Sequence, residues 1–255
     1  MKKPTTILFA LLIFTVMLGG VFLLLTTETP QEISTPTENP EPLAQDIEPI
    51  ETLSNISIPM PLPMLNEYLV LVNHQHAIAN EPDHSILIPA WPTVPVSTTV
   101  DMYLHPTALN AVADMFASAR EADIGSFFVT SGFRSHEAQA ALYGDGSNSA
   151  FVMPPGHSEH QTGLAADIMA VGVGQWELAD SPQGQWLAAN SWRYGLILRY
   201  PEGATHITGI AFEPWHFRYV GAVHAYYMWR NNLVLEQYIE LLQSGERDMM
   251  ALTGE

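Results

Sequence analysis

The sequence has no cysteine and only two lysines. The first absence removes disulfide frameworks and thiolate metal sites together, so any metal must be held by His, Asp or Glu. It does not argue against an extracytoplasmic location. Basic residues number nine against 27 acids, a formal net charge of −18. That balance offers no basic patch to neutralise phosphates and excludes nucleic-acid binding. It serves instead to keep an exposed protein soluble. Internal repeats are also missing, and after residue 58 no further low-complexity stretch interrupts the chain.

What is present begins with an apolar run. Lys2 and Lys3 precede nineteen residues, 7–25, broken only by Thr15, Gly19 and Gly20. That length spans a bilayer, and the LLLTTETP exit offers no small-x-small cleavage site. An uncleaved anchor over 1–25 is therefore expected in preference to a cleaved signal peptide or a core helix. With both lysines before the run, the positive-inside rule places the N-terminus in the cytoplasm and the rest outside. Residues 26–58 carry seven acids, five prolines and no basic residue, the composition of an extended tether. A single folded domain is expected over 59–245, with 246–255 as a frayed tail.

Within the domain the periodicities alternate. NEYLVLVNH (66–74) reads as a strand. HPTALNAVADMFASAREADI follows as a helix after a Pro106-Thr107 start, with Leu109, Val112, Met115, Phe116 and Ala119 at helical spacing. FFVTSGF reads as a strand, SHEAQAALYG as a short helix stopped by Gly144, GLAADIMAV as a strand, and SPQGQWLAANSWRYG as a helix closed by Gly195. LILRY is a further strand, ITGIAFEPWHFRYV a longer one interrupted at Pro214, and VGAVHAYYMWRNNLVLEQYIELLQ a closing helix. Short strands beside helices predict an α+β domain with a small, mostly antiparallel sheet rather than a doubly wound one.

Two clusters carry chemistry. SEHQTGLAADI (158–168) sets His160 and Asp167 seven positions apart around Gly163, and EPWH sets Glu213 three before His216. Two imidazoles and a carboxylate match the ligand count of a catalytic zinc with an open fourth position, and the remaining carboxylate is free to be the base. Strand alternation turns Asp167 away from Leu164, Ala166 and Ile168. A plain strand would separate Glu213 from His216, but Pro214 cannot donate to a ladder and predicts a bend that reunites them. Either cluster alone is a weak signal, since ExxH is more often a salt-bridged or capping pair. SGFRSHEAQ adds Arg134 at a strand end and Gln139 one short helical turn on. Arg134 suits either a terminal carboxylate or an ion pair with Glu137. His157 and His206 are expected to be loop histidines, and Trp215 a core aromatic beside the site.

SGFRSxxxQ, SEHQTGLAAD, YGLILRYP and ITGIAFEPWHFRYVG, in this order and at these separations, resemble the VanY-type D-alanyl-D-alanine carboxypeptidases, zinc peptidases whose branch includes L,D-carboxypeptidases. The resemblance covers about residues 65–228. It implies that His160, Asp167 and His216 bind one Zn2+ and that Glu213 is the general base. It further implies that Arg134, Gln139 and Ser158 hold the C-terminal residue of a peptidoglycan stem peptide, with Arg134 also near the charge developing on the scissile carbonyl. The partners implied are wall peptides or a lipid-linked wall precursor, for a monomer at the outer face of a bacterial membrane. Phe133 stands where the pattern more usually has Tyr, His157 where another residue is usual, and EGATH replaces a lysine-bearing loop. These departures leave open an L,D-carboxypeptidase or an endopeptidase with the same site. A non-catalytic wall-binding module is the remaining alternative, disfavoured by the spare carboxylate of Glu213.

Overall fold

The computed structural model describes residues 68–78, 83–97 and 102–243. The expected anchor over 1–25, the tether over 26–58, the domain start at 59 and the tail over 246–255 lie outside the described residues. Among the described residues no helix is long and apolar enough to cross a membrane.

The architecture is α+β, as expected. A two-stranded antiparallel ribbon pairs β1 (Ile88–Pro89) with β2 (Tyr103–Leu104). The main sheet has four antiparallel strands in the order β3 (Phe127–Ser131), β4 (Ala165–Ala170), β6 (His216–Tyr219), β5 (Leu196–Leu198). Helix α1 (Pro106–Glu121) covers the core side. Its N-terminus is capped by His105, whose ring accepts from the Thr107 N–H, and Pro106 sits where a helix needs no donor. All five apolar residues expected on one face of α1 are buried and share a core cluster with Phe127 and Val129 of β3 and Ile168 of β4. Leu109, Val112, Met115 and Phe116 each contribute about 1.5–3 kcal/mol by leaving water, and the single methyl of Ala119 less. Truncating Phe116, stacked on Phe127 at 5.6 Å, would cost about 3–5 kcal/mol.

Helices α2 (His136–Tyr143) and α3 (Pro182–Asn190) end as the sequence suggests: α2 at Gly144, and α3 through a 3-10 turn, Ser191–Tyr194, closed by Gly195. Three expectations fail. The 66–74 run forms no ladder from Tyr68 onward. The carbonyls of Tyr68 and Val70 accept instead from the guanidinium of Arg218, at 3.0 and 2.9 Å, so an arginine replaces a neighbouring strand. The long strand over 207–220 shrinks to β6. Before it lies the short helix α4 (Thr205–Thr208), ended by Gly209 at φ 78°, and the Glu213–His216 turn. The closing helix is α5 (Ala222–Arg230), and helix resumes only over 235–243. Asn232, in the left-handed region at φ 52°, breaks the two apart.

Candidate active site

β4 and β6 bring the two sequence clusters together by register. Asp167 pairs directly with His216 across the sheet, and Ser131 of β3 pairs with Asp167 on its other side. Side chains directly opposite share a face, so a carboxylate and an imidazole 49 positions apart project to the same side of the sheet. The inward neighbours Ala166 and Ile168 enter the core.

His160 arrives from the turn before β4. Residues Glu159–Thr162 form a 3-10 turn that ends at Gly163, φ 71°, where a Cβ would meet the Leu87 side chain at 2.6 Å. This tight reversal answers why histidine and aspartate flank a glycine: it folds His160 back over the start of the strand that carries Asp167. The imidazole is oriented from behind, its Nδ1 lying 2.7 Å from the carbonyl oxygen of Gly132. Gly132 also has to be glycine, since a Cβ there would sit 2.6 Å from the backbone oxygen of Tyr103.

The bend at EPWH is real. The His216 N–H donates to the Glu213 carbonyl at 3.2 Å, closing a turn around Pro214. Glu213 therefore swings to the ring it would have opposed in a strand, with Oε2 3.4 Å from His216 Nδ1. The same Nδ1 is 3.3 Å from Asp167 Oδ1, and His160 Nε2 is 3.4 Å from Asp167 Oδ2. Ligand atoms of His160, Asp167 and His216 all lie within 4.8 Å of one another. Both imidazoles and Glu213 are buried, and Asp167 Oδ1 is buried without a hydrogen-bond partner. A buried carboxylate with one orphaned oxygen, facing a ring nitrogen from each of two imidazoles, is what a divalent cation would satisfy, and two imidazoles with one carboxylate suit zinc.

The protonation states follow the crowding. Burial would raise Asp167, but the His160 and His216 rings beside it outweigh that and hold the carboxyl well below its usual range. Burial lowers His160, which leaves that ring neutral at ordinary pH. Burial would also lower His216, yet the carboxylates of Asp167, Glu159 and Glu213 around its ring keep it well above the ordinary histidine value. Glu213 is raised, chiefly by burial and further by the nearby charge of Asp167. A raised, partly desolvated carboxyl beside a metal site is the profile of a general acid–base group.

All seven residues singled out in the sequence line one cleft of about 190 Å³: Arg134, Gln139, Ser158, His160, Asp167, Glu213 and His216. The guanidinium of Arg134 donates to Gln139 Oε1 and Ser131 Oγ, each at 2.8 Å, rather than pairing with Glu137. Gln139 is buried, and its amide nitrogen donates to the Met153 carbonyl at 2.6 Å. Both ends of Gln139 are thus engaged in holding the arginine. Trp215 is core and wall at once, buried in the main cluster and edge-on to Trp176 at 5.3 Å. His157 is tied to the Asn73 carbonyl at 2.7 Å, and His206 is exposed on a separate cavity.

Sequence reasoning missed five residues behind His216. Glu159, fully buried, receives Arg199 Nε at 2.8 Å and lies 2.9 Å from the Arg218 guanidinium, and Arg199 makes a two-point contact with Glu236. Tyr200 packs on His216, ring centroids 4.8 Å apart. A visible signal existed for two of them: arginines interrupt the apolar runs LILRY and HFRYV.

The family model described as VanY, D-alanyl-D-alanine carboxypeptidase, matches residues 101–222. A D-alanyl-D-alanine carboxypeptidase of Enterococcus faecium is 35% identical over 155 residues, 61% of this chain. The match spans 50% of that relative's length. Among solved structures, the LD-carboxypeptidase LdcB is similar with a TM-score of 0.60 and 34% identity, covering 68% of this chain and 86% of LdcB. A VanY D,D-pentapeptidase from a VanB-type resistance cassette, solved as a point mutant with Zn(II), gives a TM-score of 0.54 and 33% identity over 68% of this chain and 99% of its own. With 33% identity over an alignment that takes in 99% of that enzyme, this chain belongs to the VanY family of D-alanyl-D-alanine carboxypeptidases.

Proposed function

We propose that this chain is a zinc-dependent D-alanyl-D-alanine carboxypeptidase that removes the terminal D-alanine from peptidoglycan stem peptides. The observation that carries this reading is the layout of the cleft: the Arg134 cation, an open His-Asp-His set and a raised carboxyl line one small cavity. His160, Asp167 and His216 hold the metal. Zinc, when bound there, would supply Lewis acidity to the scissile carbonyl and lower the pKa of a water toward about 7. Glu213 takes the proton from the attacking water and delivers it to the nitrogen of the departing D-alanine. Arg134 receives the substrate's terminal carboxylate as a planar fork, held in place by Gln139 and Ser131, and stabilises negative charge on the carbonyl oxygen. Ser158, on the cleft wall, contributes a further polar contact to the C-terminal residue.

The setting follows from sequence. Residues 1–25 anchor the protein in a bacterial membrane and 26–58 tether an extracytoplasmic domain over 59–245, which acts as a monomer. Membrane-proximal stem peptides, including lipid-linked precursors, are the substrates that a domain anchored in this way would meet.

A second reading keeps the site and changes the bond: likeness to an LD-carboxypeptidase favours trimming of tetrapeptide stems. Mass spectrometry of the zinc-loaded protein with a pentapeptide ending in D-Ala-D-Ala and with the tetrapeptide decides between them. Loss of one D-Ala from the pentapeptide alone, abolished by a chelator, is expected. Loss from the tetrapeptide moves the enzyme to the L,D reading, and cleavage of neither rules out both.

A further inference from the structure

Behind His216 lies a charged cluster that the chemistry above does not use. On its cleft side the ring presents Nδ1 to Asp167 and Glu213. On its inner side Nε2 faces Glu159 Oε2 at 3.7 Å. Both of these inner atoms are buried and without a hydrogen-bond partner. The gap exceeds a good N–H···O bond by about 0.7 Å.

Glu159 cannot move away to find another partner. Its Oε1 is shared between Arg199 Nε at 2.8 Å and Arg218 Nη1 at 2.9 Å. Arg199 is gripped in turn by both oxygens of Glu236, at 2.9 and 2.6 Å. Arg218 is pinned to the carbonyls of Tyr68, Val70 and Tyr219. The free oxygen of Glu159 is therefore aimed at one ring nitrogen by two fixed guanidinium groups. His160 needs no such device, because the Gly132 carbonyl already fixes its Nδ1.

We propose that Glu159 is a positioning residue that holds His216 as the Nε2–H tautomer, and that Glu236, acting through Arg199, holds Glu159. A proton on Nε2 leaves the Nδ1 lone pair directed into the cleft, the form a metal requires. The inference rests on the reading of His216 as a zinc ligand and extends it to a residue of the helical stretch over 235–243 that touches neither metal nor substrate.

The test is zinc affinity, measured on the full chain by competition with a chromophoric chelator, for the wild type, Glu159→Gln and Glu236→Gln. Loss of an outer partner of this kind costs about ten- to a hundredfold in metal affinity. That loss is expected for Glu159→Gln, with a smaller loss of the same sign for Glu236→Gln. A purely structural role would lower the melting temperature of the zinc-free protein and leave the zinc dissociation constant unchanged, and an affinity within about twofold of wild type in Glu159→Gln overturns the proposal. Should that variant not fold, ¹⁵N shifts of His216 in the zinc-loaded wild type decide. Protonation at Nε2 supports the proposal, and zinc on Nε2 overturns it. A wild type that takes up no zinc overturns the metal-site reading and this inference with it, whereas an indifferent Glu159→Gln overturns this inference alone.

Discussion

His216 stands between two charged clusters built from similar parts. On the inner side two carboxylates, Glu159 and Glu236, are matched by two guanidinium groups, Arg199 and Arg218, all within hydrogen-bonding range. On the cleft side two carboxylates, Asp167 and Glu213, crowd two imidazoles, and no lysine or arginine closes the set. Arg134, the nearest guanidinium, is turned to Gln139 and Ser131. The inner cluster matches its carboxylates to guanidinium groups one for one. The outer one is short of a cation, and that shortage marks the place where an ion and a substrate belong.

The contrast can be broken from either side. Glu213→Gln keeps the shape of the cleft while removing its base, so turnover should fall by about 10²–10⁴ with zinc binding retained. Stopped assays on a stem pentapeptide, with metal content measured in parallel, check this, and preserved turnover would remove Glu213 from the mechanism. On the inner side Arg199→Met leaves Glu159 buried with half its partners, at a cost of about 3–5 kcal/mol. Denaturant unfolding of the zinc-free protein measures it. A loss below about 1 kcal/mol would mean that the cluster is wetter than its burial indicates.

Smaller effects sharpen the comparison. Arg134→Ala should weaken kcat/KM for free-carboxylate peptides by about tenfold or more, the worth of a hydrogen bond to a charged group. C-terminally amidated peptides should respond less, because they lose only the charge stabilisation at the carbonyl oxygen, and an equal response of both would end the anchoring role. Zinc uptake should also depend on pH. His216 sits above its ordinary value of 6.5 and holds its proton at neutrality, whereas His160 is lowered and Asp167 is ionised. Metal must therefore displace about one proton, and apparent affinity should rise about tenfold per pH unit through neutrality until His216 deprotonates unaided. Calorimetry in buffers of different ionisation enthalpy counts that proton. Release of two would mean that His160 is charged as well.

The outer cluster was legible in the sequence because its parts are local: a glycine turn places His160, strand alternation places Asp167, and a proline bends Glu213 back toward His216. Helix α1 was legible for the same reason, from five apolar residues at one spacing. The inner cluster was not, because its pairs join positions 37 and 40 apart, and nothing in LILRY announces that its arginine is swallowed by the fold. The misread strand at 66–74 belongs to the same failure. Its backbone is satisfied by Arg218, a donor 148 or more residues away, which no pattern within the run could reveal. Gln139 lines the cleft, but its hold on Arg134 and its anchorage on the Met153 carbonyl are contacts that no pattern within SGFRSHEAQ announces.

The direct pairing of Asp167 with His216 acts as a parity check on folding. Side chains alternate across a strand, so sliding β4 by one residue against β6 would exchange Asp167 for an alanine or an isoleucine at the cleft and drive a carboxylate into the core. There is no half-correct setting. Each molecule in a population is either able to hold its ion or unable to fold, and loss of activity in a damaged sample should appear as fewer working copies rather than slower ones.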